Sequence, residues 1–160
     1  MKIFKPFLLI FYLFSFLSCN TNEFNIQLDD KETILLNSDY NQWLKTEYGY
    51  DTWKPKKKDF RIVNIVMNKA IKNNKFYFIK QPINKNIETY YRQYIPYINK
   101  NNERLIKINA FCELLKIPPT PSQKDIGFTN IDWKNEYVEV DGGESCYWEL
   151  IINIDTKAYE

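Results

Sequence analysis

Two cysteines set in strands of period two constrain this chain more than any other feature. From Arg104 to Cys112 the residues alternate, with Ile106, Ile108, Ala110 and Cys112 on one face and Leu105, Lys107, Asn109 and Phe111 on the other. Ser145 to Ile154 alternates in the same way, and Cys146, Trp148, Leu150, Ile152 and Ile154 share its apolar face. In an up-and-down meander Cys112 and Cys146 would sit at opposite ends of the sheet, about 20 Å or more apart. A disulfide needs Cα atoms within ~7 Å. A bridge therefore requires residues 113–135, which carry Pro118, Pro119, Pro121 and Gly127, to run back along the sheet as a long loop. The last strand then lies beside Arg104–Cys112 and antiparallel to it. The alternative is two buried free thiols.

The N-terminus bears on which state the thiols adopt. Lys2 and Lys5 precede an almost unbroken apolar run from Phe7 to Leu17, followed by Ser18 and Cys19. Two lysines, a short apolar core and a small residue before the cut describe a secretory signal; the run is shorter than the ~20 residues a membrane span needs. Phe16-Leu17-Ser18-Cys19 resembles the lipobox of bacterial lipoproteins, in which the leader is removed and the acylated cysteine becomes residue one. The resemblance implies lipidation at Cys19, a membrane anchor followed by a polar tether from Asn20 to Asn25, and a cell-envelope address as an outer-membrane lipoprotein. Export to an oxidising compartment leaves Cys112 and Cys146 as a pair. In the chain-entropy model their bridge contributes ~3–4 kcal/mol.

Removing the first 18 of the 160 residues leaves 142, the size of one compact domain. Hydrophobic residues at 44% and charged residues at 26% are ordinary globular values. Without Lys2 and Lys5 the 22 basic residues become 20, matching the 20 acidic ones, so net charge gives no reason to expect a nucleic-acid partner. The sequence has no histidine, which removes the commonest general base and the commonest zinc ligand. Asp141 and Glu144 flank a glycine pair and Asp29 and Asp30 are adjacent, patterns that read as a solvated turn and a solvated linker. No metal, no cofactor and no catalytic group is expected.

Residues 1–18 read as the signal peptide, 19–54 as the lipidated tether and N-terminal segment, and 55–160 as the domain. Ile34-Leu35-Leu36 suits a short strand or helical turn, and Asp39 is placed to cap a brief helix through Lys45. Phe60, Val63, Val66, Met67, Ala70 and Ile71 recur at three- and four-residue steps, which predicts an amphipathic helix over 57–72. Phe76-Tyr77-Phe78-Ile79 is a short apolar run, and 87–98 reads as a strand in which Pro96 marks a bulge or an edge. Asn99 to Asn102 forms a turn before the strand at 104–112. Tyr137 to Val140 reads as a strand and Asp141 to Glu144 as the hairpin turn before the last one. The expected fold is α+β: one amphipathic helix packed on a four- to five-stranded antiparallel sheet, a cystatin-like or nuclear-transport-factor-like architecture.

Tyr91-Arg92-Gln93-Tyr94, Ile108-Asn109-Ala110-Phe111-Cys112, and Asp141-Gly142-Gly143-Glu144-Ser145-Cys146-Tyr147-Trp148 leading into Asn153 together resemble a group of small, uncharacterised exported lipoproteins of Gram-negative bacteria. The resemblance covers residues 53–156. It implies a secreted helix-and-sheet domain and names no activity; such chains often continue one more strand past the position of Tyr159.

Tyr90, Arg92 and Tyr94 alternate on one face of their strand, while Lys107, Asn109, Tyr147 and Glu149 fall on the non-core faces of theirs. If those strands are neighbours, their outer face is a patch of Tyr, Arg, Lys and Glu, and Tyr and Arg are enriched in contact hot spots. The competing account is a solvent-facing sheet side held by cross-strand aromatic pairs. The resulting expectation is a lipid-anchored, non-catalytic binding module with an envelope protein as partner, acting through the sheet face or the 113–135 loop. An immunity- or inhibitor-type lipoprotein and a periplasmic hydrolase are the alternatives.

Overall fold

The computed structural model describes residue 26 and residues 28–79, 83–123 and 127–160; the leader and Cys19 lie outside them. In chain order the elements are Glu32–Ile34 (β1), Asp39–Tyr48 (α1), Asp51–Thr52 (β2), Lys57–Lys72 (α2), Ile83–Asn86 (α3), Tyr91–Ile98 (β3), Arg104–Phe111 (β4), Lys116–Ile117 (β5), Thr129–Asn130 (β6), Tyr147–Asn153 (β7) and Ala158–Tyr159 (β8). The fold is α+β. The main sheet has the order β1-β3-β4-β7-β8, with β2 also paired to β3. Because β1 runs parallel to β3 while the other pairings are antiparallel, the sheet is mixed and not wholly antiparallel as expected. Among the described residues two long helices, α1 and α2, flank it, where one was expected. β1, α1 and β2 fall within the 19–54 segment, yet they pack with the rest of the domain.

The apolar stripe of α2 buries Val63, Val66, Met67 and Ala70 against the even-numbered residues of β4 and β7: Ile106, Ile108, Ala110, Trp148, Leu150 and Ile152. Arg104 joins the start of β4 to this helix. Its guanidinium reaches Asp59 at 3.3 Å and Asp155 at 2.5 Å, and lies 5.2 Å from the centroid of the Trp53 ring. The opposite face of the sheet is covered too. Leu35 and Leu44 pack there against Ile95, Tyr97 and Leu105, and Phe111 packs against Trp133 and Val138. The molecule thus has α2 on one side of the sheet, and α1 with residues 133–140 on the other.

α1 begins at Ser38, whose hydroxyl accepts from the Asn41 backbone N–H while the Asn41 side chain accepts from the Ser38 backbone, a reciprocal cap. The cap residue is Ser38, one before the expected Asp39. The helix ends at Gly49, whose left-handed φ of 70° costs glycine little.

Cys112 and Cys146 are bridged, with Cα atoms 5.1 Å apart. The Cys112 N–H donates to the Cys146 carbonyl at 3.0 Å. As the geometry of a bridge demands, β7 runs antiparallel to β4, with Phe111 opposite Tyr147 and Leu105 opposite Asn153. The connection is not wholly irregular, since β5 and β6 form a small separate hairpin within it.

The strand expected at 137–140 does not form. Buried side chains of the sheet satisfy its backbone instead: the Val138 N–H donates to the Gln93 side-chain carbonyl at 3.0 Å, and the Val138 carbonyl accepts from the Asn109 amide at 2.8 Å. The Gln93 amide also donates to the Trp133 and Glu136 carbonyls, both at 2.6 Å. This segment therefore lies across the face of the sheet and is not one of its strands. Pro96 also has its place. The backbone polar groups of Arg92 and Tyr94 point toward β1, bonded to Lys31 and Leu35, so two residues on, the Pro96 nitrogen faces the gap between the end of β1 and the start of β2, where no N–H is required.

Candidate functional site

On the sheet face opposite α2 a cleft of about 970 Å³ opens between the N-terminus of α1 and residues 135–140. Its floor comes from the paired strands β4 and β7: Lys107 lies two positions along β4 from Asn109, which is opposite Glu149, so Lys107 and Glu149 share one face. The Lys107 ammonium meets Glu149 Oε1 at 2.7 Å and donates to the Tyr40 hydroxyl at 3.0 Å. Tyr137 donates to the same carboxylate oxygen at 2.9 Å, and Tyr147 donates to it as well. Three donors thus converge on one oxygen. The rings of Tyr40 and Tyr137 stack with centroids 4.0 Å apart, and the ammonium lies 4.9 and 5.3 Å from those centroids. From Tyr40 the aromatic contacts continue outward through Trp43 at 5.3 Å and on to Tyr48 at 5.1 Å.

Burial alone lowers the Lys107 pKa, but hydrogen bonds to Glu149 and Tyr40 outweigh it and hold the ammonium above its ordinary value. Burial likewise pushes the Glu149 carboxyl up, and hydrogen bonds from Lys107 and Tyr147 prevail and hold it below the ordinary carboxylate range. Burial, then the Glu149 charge, raises Tyr137; burial, then its hydrogen bond to Glu149, raises Tyr147. Lysine, glutamate and both tyrosines therefore keep fixed protonation states near neutral pH.

The six residues expected to share a face divide between two. Lys107, Tyr147 and Glu149 meet in this cleft, whereas Tyr90, Arg92 and Tyr94 belong to the other side of the sheet and are buried. Tyr94 packs edge-on against Phe60 of α2 at 5.0 Å and donates to Glu32 at 2.6 Å. Arg92 is held by Glu32 and Asp29, at 3.0 and 2.8 Å. Tyr90 donates to the Ser145 carbonyl at 2.9 Å. A face of Tyr and Arg resembles a solvent surface in sequence, but here their apolar bodies are core, and Glu32 of β1, Asp29 and the Ser145 carbonyl take up their polar ends. The six residues therefore do not form one exposed patch, and Lys107, Tyr147 and Glu149 are part of the cleft lining. Tyr40, Trp43 and Tyr137 are not among the residues expected on the sheet face; the signal in the sequence for two of them is the run of aromatics Tyr40, Trp43, Tyr48, Tyr50 and Trp53 within the 19–54 segment. Among the described residues no group of three or more acidic or cysteine ligands is arranged to hold a metal, and no helix is long and apolar enough to cross a membrane.

Compared with protein-family models, curated proteins and solved structures, the chain gives no match.

Proposed function

We propose that this protein is a lipid-anchored cell-envelope module that binds a partner through the cleft around Tyr40, Trp43 and Tyr137 without catalysing a reaction on it. The cleft carries the reading. It is concave and aromatic on one wall, with a few polar groups in fixed orientation, the combination that ligand sites use. The fixed charges of Lys107 and Glu149 favour binding over proton transfer, because an effective acid or base needs a pKa near the working pH. The envelope address rests on the Lys2–Cys19 leader and its likeness to a lipobox, and the bridge between Cys112 and Cys146 is consistent with an oxidising compartment. Kinship with small exported lipoproteins of Gram-negative bacteria, and a cystatin-like or nuclear-transport-factor-like arrangement of α2 over β3, β4 and β7, belong to the same proposal and lend it no activity.

Photo-cross-linking in living cells tests it. A photoreactive phenylalanine analogue at Trp43 is expected to give a discrete adduct in the envelope fraction, and the same analogue at Ile65, exposed on α2, is expected to give none. Equal labelling from both positions, or none from Trp43, overturns the assignment of the cleft.

A further inference from the structure

We infer that the cleft takes a cationic peptide segment, with a lysine or arginine side chain against the exposed Trp43 ring and the carboxylates of Asp39, Glu136 and Glu139. This rests on the cleft being the binding site and adds the chemistry of its occupant. Four carboxylates line the cleft, on Asp39, Glu136, Glu139 and Glu149, against a single amine, Lys107. That amine is spent on Glu149 at 2.7 Å, so the floor is electrically balanced. Among the described residues none of the other three carboxylates has an ion-pair partner, and all three are exposed at the rim.

The aromatic wall is suited to the same charge. Tyr40 and Tyr137 already flank one ammonium, which shows how rings in this cleft accept a cation. Trp43 lies next along the wall and is 43% exposed; tryptophan is the best ring for this contact. An anionic ligand would face three uncompensated carboxylates, and the first turn of α1 offers little to offset them, since Ser38 caps it and Asp39 occupies its start. A neutral sugar would use the rings but leave the carboxylates without a counter-charge. The volume of about 970 Å³ suits several residues of extended peptide and far exceeds what a bare ion needs.

The test is fluorescence anisotropy of the full chain with fluorescein-labelled hexalysine, alongside labelled hexaglutamate and a labelled neutral N-acetylglucosamine oligomer. Saturable binding of hexalysine alone is expected, weakening as salt rises from about 0.05 to about 0.3 M. Glu136→Gln with Glu139→Gln is expected to weaken it about tenfold, the scale of two partly screened charge contacts. Trp43→Ala is expected to weaken it about fivefold, the scale of one cation–ring contact. Glu88→Gln with Glu113→Gln, exposed carboxylates outside the cleft, is expected to leave affinity unchanged. Equal loss from both acidic pairs would mean diffuse attraction to polycations and overturn the inference, as would the absence of saturable binding. Preferential binding of the neutral oligomer would also overturn it, while the cleft itself would still stand or fall by the cross-linking test.

Discussion

Gln93 makes the most exacting test of how the cleft wall is held. It is fully buried at the centre of β3, opposite Asn109 of β4. Its amide bonds four groups: the Trp133 and Glu136 carbonyls, the Val138 N–H and the Asn109 side chain at 2.9 Å. Gln93→Leu keeps nearly the same volume and strands all four. The Glu136 residue is exposed, so its carbonyl can turn to water; the other three groups are buried. At about 1–3 kcal/mol for each buried group left unmade, with partial relaxation, we expect a loss of roughly 3–5 kcal/mol. That is a large share of the ~5–15 kcal/mol typical of a whole domain. Urea unfolding followed by tryptophan fluorescence, which Trp133 and Trp148 report from buried positions, should show a midpoint lower by about 2 M for a slope near ~2 kcal/mol/M. In a double-mutant cycle, Gln93→Leu with Asn109→Leu should cost less than the two single changes added, because each single change orphans the other residue. A loss under about 1 kcal/mol for Gln93→Leu, or strict additivity, would refute the idea that this amide pair ties residues 133–138 to the sheet.

Three further outcomes are expected. Gly143→Ala should lose about 1–3 kcal/mol in thermal melts, since a Cβ there would stand 2.5 Å from Tyr147 Cβ and 2.8 Å from Val140 Cγ1; a neutral result would mean that the turn moves freely. Replacing Cys112 and Cys146 together by serine removes a bridge across 34 positions and should cost ~3–4 kcal/mol, measured as a fall in the urea midpoint; an unchanged midpoint would deny the bridge any stabilising role. The folded Glu149 pKa lies below its unfolded value, so its contribution is complete above the unfolded carboxylate range near ~4.3 and is lost as pH falls through the depressed folded value. Melting temperatures taken downward from about pH 6 should therefore drop below about pH 4, and less steeply in Glu149→Gln; an identical acid limb in the two proteins would contradict this.

Much of the architecture is legible in the sequence where one period dominates. α2 runs over Lys57–Lys72, the span its apolar spacing predicts, because one face meets a core and the other meets water. The faces of β4 and β7 follow their alternation, and the bridge forces their antiparallel pairing. Legibility fails where both faces of a strand are buried. Arg92 and Tyr94 are polar-tipped, so their pattern suggests a solvent side; their partners, Glu32 of the three-residue β1 and, for Arg92, Asp29, come from a segment without periodicity of its own. Tyr137-Val138-Glu139-Val140 alternates like a strand, but the segment lies across the face of the sheet and takes its hydrogen bonds from the Gln93 and Asn109 side chains. The cleft combines residues from α1, β4, residues 135–140 and β7, and no local pattern announces contacts such as Tyr40 with Tyr137 across so much chain.

In the proposed reading the domain is exported and anchored at Cys19, with its other two sulphurs joined. Intact-mass spectrometry of the protein extracted from the envelope without reductant tests this directly. The expected species begins at an acylated Cys19 and carries Cys112 and Cys146 two hydrogens lighter than free thiols; a chain that retains Met1 and all three thiols contradicts the account.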